Sequence, residues 1–319
     1  MYQSFIPFKV SLTNCYDFQF NSAFKYKMKI LAFLFLVLLP FFGFSQDSLS
    51  AHYKIFNTKT QKAASLDDIV SDMSKADVLF FGEEHNDSTG HQLEYVLLKK
   101  ISEKYPGKTA LSMEMFETDC QTVLNEYLNG LIRDKNFETD ARVWPNYDDY
   151  RPLIAYSKEN KLPVIAANAP ARYANMVNRL GLNSLQHLDA IGKSYLPPLP
   201  IDTATGAYLQ KFDQIMGGHS AMPGMQMYQA QNLWDATMGW SIARFIKTHA
   251  GYKVLQINGG FHSEEKLGVS AQLLHYYSKA KIINIAVYSD DSFTNPDWGK
   301  LSKMGDYIIL TDPKLPRTF

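Results

Sequence analysis

Residues 77–94 read DVLFFGEEHNDSTGHQLE, an apolar run that stops abruptly in two carboxylates and an imidazole. Val78 to Phe81 is too short and too uniformly apolar for a half-exposed element, and its composition predicts a strand buried on both faces. Gly82 ends the run. Glu83, Glu84 and His85 then fall just past the strand's carboxyl end, and Asp87 or Ser88 can cap a helix carrying His91 and Glu94 three apart on one face. Open α/β sheets put their ligands at such strand ends. Taken alone, the stretch reads first as a polar strand-to-helix turn with capping carboxylates.

The remaining chain repeats the strand and helix alternation. Leu66–Ser74 has the spacing of a short amphipathic helix, and the helix after the opening strand runs to about Lys104, where Pro106-Gly107 stops it. Further strands are expected at Thr109–Met115, Leu162–Ala167, Val254–Asn258, Lys281–Tyr288 and Asp306–Thr311. Asp119–Leu131 and Leu153–Glu159 read as helices, and Val143–Leu153 as an aromatic, proline-broken loop. From about 170 to 250 the pattern is helical and loop-like, and it ends in the strongest helical stripe of the chain, Gln226–Lys247. The expected class is α/β, with a mainly parallel central sheet flanked by helices and a smaller helical subdomain.

Residues 1–45 read as a signal peptide. Lys25, Lys27 and Lys29 precede the apolar stretch Ile30–Phe44, which is shorter than the ~20 residues of a spanning helix. Met28 would open a more ordinary leader than Met1, which would make residues 1–27 an over-extended start. Residues 46–319 are then expected to form a single domain. Without the leader the chain keeps 28 basic and 31 acidic residues, about −3, and offers no electrostatic footprint for nucleic acid. Of the two cysteines only Cys120 lies beyond the leader, so no internal disulfide is expected. An exported protein of the periplasm or cell envelope fits this pattern, with no cysteine placed for a lipid anchor after the apolar stretch.

The positions of the ionisable residues favour a site over capping. Glu83 with His85, Glu114, Asn168 and His262 fall at the carboxyl ends of four different expected strands, which converge on one crevice in a doubly wound sheet. Glu83, His85, Glu114 and His262 could bind a divalent metal, since carboxylate and imidazole suit zinc and related ions. They could equally serve as acid and base without a metal, because neighbouring carboxylates split their pKa values. Either use would make a hydrolase, with His91 and Asn168 accessory. Phosphate loops, Gly-x-Ser-x-Gly elbows and His-Glu-x-x-His helices are absent from the sequence.

The ordered segments GEEHNDSTGHQLE, ALSMEMFE, WPNYDDYRPL, VIAANAPARYANMVNRLG, PGMQMYQAQNLWDATMGWSIA and INGGFHSEEKLGV, from about Ala76 to Gly268, resemble the ChaN-like haem-binding uptake family. That family shares a superfamily with the erythromycin esterases, the Tiki proteins and the TraB/PrgY proteins. The resemblance implies an exported haem-binding protein of bacterial haem and iron uptake, working with outer-membrane haem transport partners. It also implies a homodimer holding haem between subunits with a tyrosine hydroxyl on iron. The superfamily's site carboxylates fall on Glu83 and Glu114 and its histidines on His85 and His262; members of the haem-binding group are lipoproteins, from which this chain departs.

Haem needs an apolar pocket, a Tyr, His or Met ligand and a cation for its propionates. Tyr147 and Tyr150 beside Arg151 offer one such set. His219, Met222, Met225 and Tyr228, in the segment MGGHSAMPGMQMY, offer another. Core packing would account for the same tyrosines and methionines, and Asp148 or Asp149 could satisfy Arg151.

Overall fold

A computed structural model of the chain describes residues 49–216 and 224–319. The expected leader, His219 and Met222 lie outside the described residues. Eight strands form one sheet in the order β2-β1-β8-β7-β3-β6-β4-β5. They are β1 (Tyr53–Asn57), β2 (Lys62–Ala64), β3 (Val78–Glu83), β4 (Thr109–Glu117), β5 (Val164–Asn168), β6 (Lys253–Gly259), β7 (Ile282–Ser289) and β8 (Tyr307–Thr311). From β8 to β5 every pair is parallel, while β1 is antiparallel to both β2 and β8. This is an α/β fold with a mainly parallel sheet between helices.

The alternation of the strands explains the layers. On β3, Leu79 and Phe81 face a core shared with Leu93, Leu97 and Ile101 of the helix Ser88–Lys104 and with Leu153 and Ile154. Val78 and Phe80 face the other way, onto Met238, Ile242, Val269 and Leu273. Side chains two apart share a face, so a strand buried on both sides reads as a continuous apolar run.

The chain runs from β3 over β6 to reach β4, and from β6 over β3 to reach β7. The crossovers therefore leave β3 and β6 in opposite directions, and a crevice opens between their carboxyl ends. Glu83 pairs with Gly259 in the register there. Gly82 permits the close approach of the following turn, since a Cβ on it would lie 2.8 Å from Ser263 Oγ and 3.1 Å from Gly260 Cα.

Three details differ from the sequence reading. The hairpin β1–β2 was not expected, and it extends the sheet by two antiparallel strands. Residues 147–152 are helical, because the helix Tyr147–Glu159 starts two turns early and takes Pro152 into its interior. Backbone bonds from Tyr147 N–H to Trp144 O and from Asp149 N–H to Asn146 O start that helix before the proline. The helix Met227–Thr248 is buried around most of its circumference rather than along one stripe, and it buries Asp235 within it. Residues 170–250 also contain the helices Ala171–Leu180, Ala190–Ser194 and Ala207–Met216. At the C-terminal end, Arg317 bridges to Asp87 and bonds Glu84 at 2.7 Å, and Thr318 N–H bonds Asn86 O, which ties residues 317–318 to the turn after β3. Among the described residues no helix is long and apolar enough to cross a membrane.

Candidate functional site

Strand parity decides what each carboxylate meets. Glu83 shares the face of Leu79 and Phe81, beneath the helices Ser88–Lys104 and Tyr147–Glu159. Its Oε1 accepts from Tyr150 OH at 2.7 Å and meets His85 Nδ1 at 2.8 Å, and its Oε2 lies 3.2 Å from His91 Nδ1. His91 Nδ1 is also 3.4 Å from Glu94 Oε2, while its Nε2 lies 3.1 Å from the His85 carbonyl oxygen. Asp87 sets this helix in place, its carboxylate accepting from Thr89 N–H and from the Thr311 hydroxyl of β8.

Glu114 faces the opposite side. Its Oε2 accepts from Gly259 N–H at 2.7 Å, and its Oε1 is 3.4 Å from His262 Nε2. His262 Nδ1 is 2.7 Å from Asp235 Oδ1, and Tyr208 OH donates to the other Asp235 oxygen. Gln231 Nε2 stands between Tyr208 OH and His262 Nδ1, at 3.1 and 3.0 Å. The four strand-end residues thus form two pairs on two faces. His85 lies between them, packed so closely on Gly259 that a Cβ there would sit 2.7 Å from its Nε2.

Burial and charge tune the two sets differently. Burial works against charge on Glu83, yet His85, His91 and Glu94 hold its carboxyl well below the usual range. Burial and the Glu83 charge push Glu94 far up. Burial opposes protonation of His91 and His262, but their carboxylate neighbours prevail and hold the imidazoles at about 11 and about 10. Glu114 is kept low, against its burial, by His262, His85 and the Gly259 amide. Asp235 is raised, because burial outweighs its bonds. His85 is raised above its ordinary value: burial opposes this, and Glu83 and the field of Glu114 overcome it.

His85 is the open member, its side chain 37% exposed against 6% for His91 and 10% for His262. It lines a cleft of about 350 Å³ with Glu83, Phe212, Met216, Phe261 and His262. Ile215 and Met216 are exposed on the rim, and Lys211 Nζ lies 4.9 Å from the Phe261 ring centre while paired with Glu264. An apolar wall, an imidazole nitrogen and a nearby cation suit the face of a haem and its propionates.

The other haem candidates are placed differently. Tyr150 is fully buried and bonded to Glu83, and Tyr228 donates to Ala204 O at 2.7 Å. Tyr147 is enclosed beside Phe116 and Phe137. Arg151 pairs with Asp148 and Glu138 over the Tyr147 ring, and Met225 is exposed. Asn168 turns its Oδ1 onto Ala169 N–H. For a metal, the described residues whose ligand atoms gather within 4.8 Å are Glu83, His91 and Glu94 rather than Glu83, His85, Glu114 and His262.

Sequence reasoning missed Asp235, Tyr208 and Gln231. Asp235 carried a signal, as the one acidic residue of an otherwise apolar and amide-rich helix. Tyr208 carried none.

A model of the family described as haem-binding uptake, Tiki superfamily, ChaN matches residues 69–273. The structure of Campylobacter jejuni ChaN, solved for its cofacial haem binding, is similar at TM-score 0.61 and 18% identity, over 82% of this chain and 97% of that one. Erythromycin esterase EreC in its open conformation reaches TM-score 0.45 at 11% identity, over 82% and 83% of the two chains. Among curated proteins, the chloroplastic RETICULATA-RELATED 5 of Arabidopsis thaliana is 28% identical over 91 residues; the match covers 28% of this chain and 12% of the length of that relative.

Proposed function

The chain belongs to the ChaN haem-binding uptake family of the Tiki superfamily, and from that premise we propose that it is an exported protein that captures haem for iron uptake in a bacterial envelope. The cleft beside His85 is the haem site in this reading. The observation that carries it is the pairing of one accessible imidazole with an exposed apolar rim at Ile215 and Met216. Glu83 holds His85 by Nδ1, which leaves Nε2 as the nitrogen for iron. Tyr147, Tyr150 and Tyr228 serve the core. A homodimer facing its partner across this rim, and delivery from an outer-membrane haem transporter, complete the proposal; the apolar leader of residues 30–44 supports export.

The test is optical. Hemin added to the chain should shift its Soret band and saturate, and His85→Ala should weaken the complex while Tyr150→Phe and Tyr228→Phe leave it intact. Absence of any shift defeats haem binding itself; a shift that survives His85→Ala defeats this site.

A second reading, a hydrolase, draws support from His262, held between Glu114 and Asp235 at the same cleft. Glu114 would act as base on water, with His85 and His262 orienting an ester or peptide. Turnover of an activated ester that persists in Glu114→Gln rules this out.

A further inference from the structure

We propose that Glu83, His91 and Glu94 form a binding site for one divalent transition-metal ion of zinc-like size, buried beneath the helices Ser88–Lys104 and Tyr147–Glu159 and adjoining the haem cleft through Glu83. Three buried side chains bring potential ligand atoms within 4.8 Å of one another. His91 Nε2 faces the His85 carbonyl at 3.1 Å and Asp149 Oδ2 at 3.7 Å, so this nitrogen carries the proton and donates. Nδ1 then points at two carboxylate oxygens, Glu83 Oε2 and Glu94 Oε2. These three atoms converge on one buried point, where a divalent ion can take the place of the protons they share.

The dimensions are those of a metal. Glu83 Oε2 to His91 Nδ1 is 3.2 Å and His91 Nδ1 to Glu94 Oε2 is 3.4 Å. A tetrahedral ion with bonds of ~2.0–2.1 Å has ligand-to-ligand edges of ~3.3 Å. The state of the carboxylate oxygens supports the assignment. Glu94 Oε1 has no hydrogen-bond partner although Glu94 is 0% exposed, and Glu83 Oε2, on a residue 3% exposed, meets His91 Nδ1 at 3.2 Å without good hydrogen-bond geometry. Buried carboxylate oxygens left in this state are costly.

The surroundings supply what such a site needs. Metal-bound histidines commonly donate their second nitrogen to a carbonyl or carboxylate, which is the arrangement at His91 Nε2. Tyr150 OH and His85 Nδ1 fix the other oxygen of Glu83, so Oε2 is aimed without freedom to turn away. A cleft of about 380 Å³, lined by Ser88, His91, Tyr95, Asp149 and Pro152, reaches His91 from solvent. On binding, the proton at His91 Nδ1 and the proton of the Glu94 carboxyl leave to water, and the freed nitrogen and carboxylate become ligands.

The experiment uses the whole chain, stripped with chelator and titrated with zinc against a chromophoric competitor, followed by zinc-edge X-ray absorption. One zinc per chain is expected, with a shell of one imidazole and oxygens. Glu94→Gln and His91→Asn should each weaken it by at least about 100-fold, while Glu114→Gln and His262→Asn leave it unchanged. If either buried variant fails to fold by circular dichroism, the wild-type absorption spectrum still decides. A shell with two imidazoles would assign the metal to His85 and His262 and overturn the proposal, as would failure of the stripped chain to take up zinc. Hemin binding is measured separately, so loss of one ligand is not read as loss of the other.

Discussion

Replacing Asp235 by Asn tests the electrostatic reading of the cleft most directly. His262 lies 2.7 Å from Asp235 and 3.4 Å from Glu114. At an effective dielectric of about 20 these contacts give the imidazolium roughly 6 and 5 kcal/mol of attraction. Burying the ion costs several kcal/mol in return. The balance agrees with a pKa of about 10, which from an ordinary 6.5 is worth ~5 kcal/mol. Removing the Asp235 charge takes away the larger attraction and leaves the burial cost, so the His262 pKa should fall back to near its ordinary value. The assay is the His262 ring Cε1–H resonance, assigned by its loss in His262→Gln and followed against pH. The sign of the linked stability follows: the folded pKa is raised above the unfolded one, so the stabilisation is complete below about 6.5 and is lost as pH rises through about 10. Urea unfolding across that interval should show the loss in the wild type and a smaller loss in Asp235→Asn. A wild-type midpoint below 7, or the same midpoint in both proteins, would refute the account.

Other perturbations probe other layers. Phe81→Ala empties a fully buried position on β3 and should cost about 3–5 kcal/mol in urea unfolding. Gly82→Ala drives a Cβ against Ser263 Oγ and the Gly260 backbone and should cost about 1–3 kcal/mol; a neutral result would mean the turn is free to retreat. Tyr150→Phe removes the hydroxyl bonded to Glu83, with an expected loss of about 1–3 kcal/mol and an unaltered hemin titration. Because the His85 pKa is raised and iron needs its neutral nitrogen, hemin affinity should rise with pH until His85 has deprotonated; affinity flat across neutral pH in the wild type would contradict the ligand assignment.

Much of the sheet was legible because its strands are buried on both sides. Val78–Phe81 appears as an unbroken apolar run and Val254–Ile257 as one interrupted only by Gln256, and each leads into the polar residues that line the crevice. The hairpin β1–β2 was hidden for the opposite reason. Lys62 and Ala63 are exposed, and its turn carries Gln61 at φ 55° rather than a glycine, so neither alternation nor turn chemistry announced it. The aromatic segment at Tyr147 was misread because two prolines outweighed its helical spacing. The site itself was half legible. Counting strand ends located Glu83, His85, Glu114 and His262, but a list of ends says nothing of which face each residue takes. Parity could have separated Glu83 from Glu114, since Glu83 aligns with Leu79 and Phe81 whereas Glu114 aligns with Ala110 and Ser112. Asp235 and Tyr208 reach His262 from helices distant in sequence, which only packing could bring together.

The clasp between residues 317–318 and the turn after β3 bears on the order in which the molecule is finished. Glu83, Glu84 and His85 are synthesised early, yet Arg317 and Thr318, which hold Glu84, Asn86 and Asp87, come more than two hundred residues later. Strand β1 likewise waits for β8, because Tyr53 pairs with Thr311. Until both arrive, β1 and β2 have no sheet to join and the Glu84–Asp87 turn lacks its tether. Nascent chain released before β8 should therefore carry the ligand-bearing residues without the ability to hold them in place.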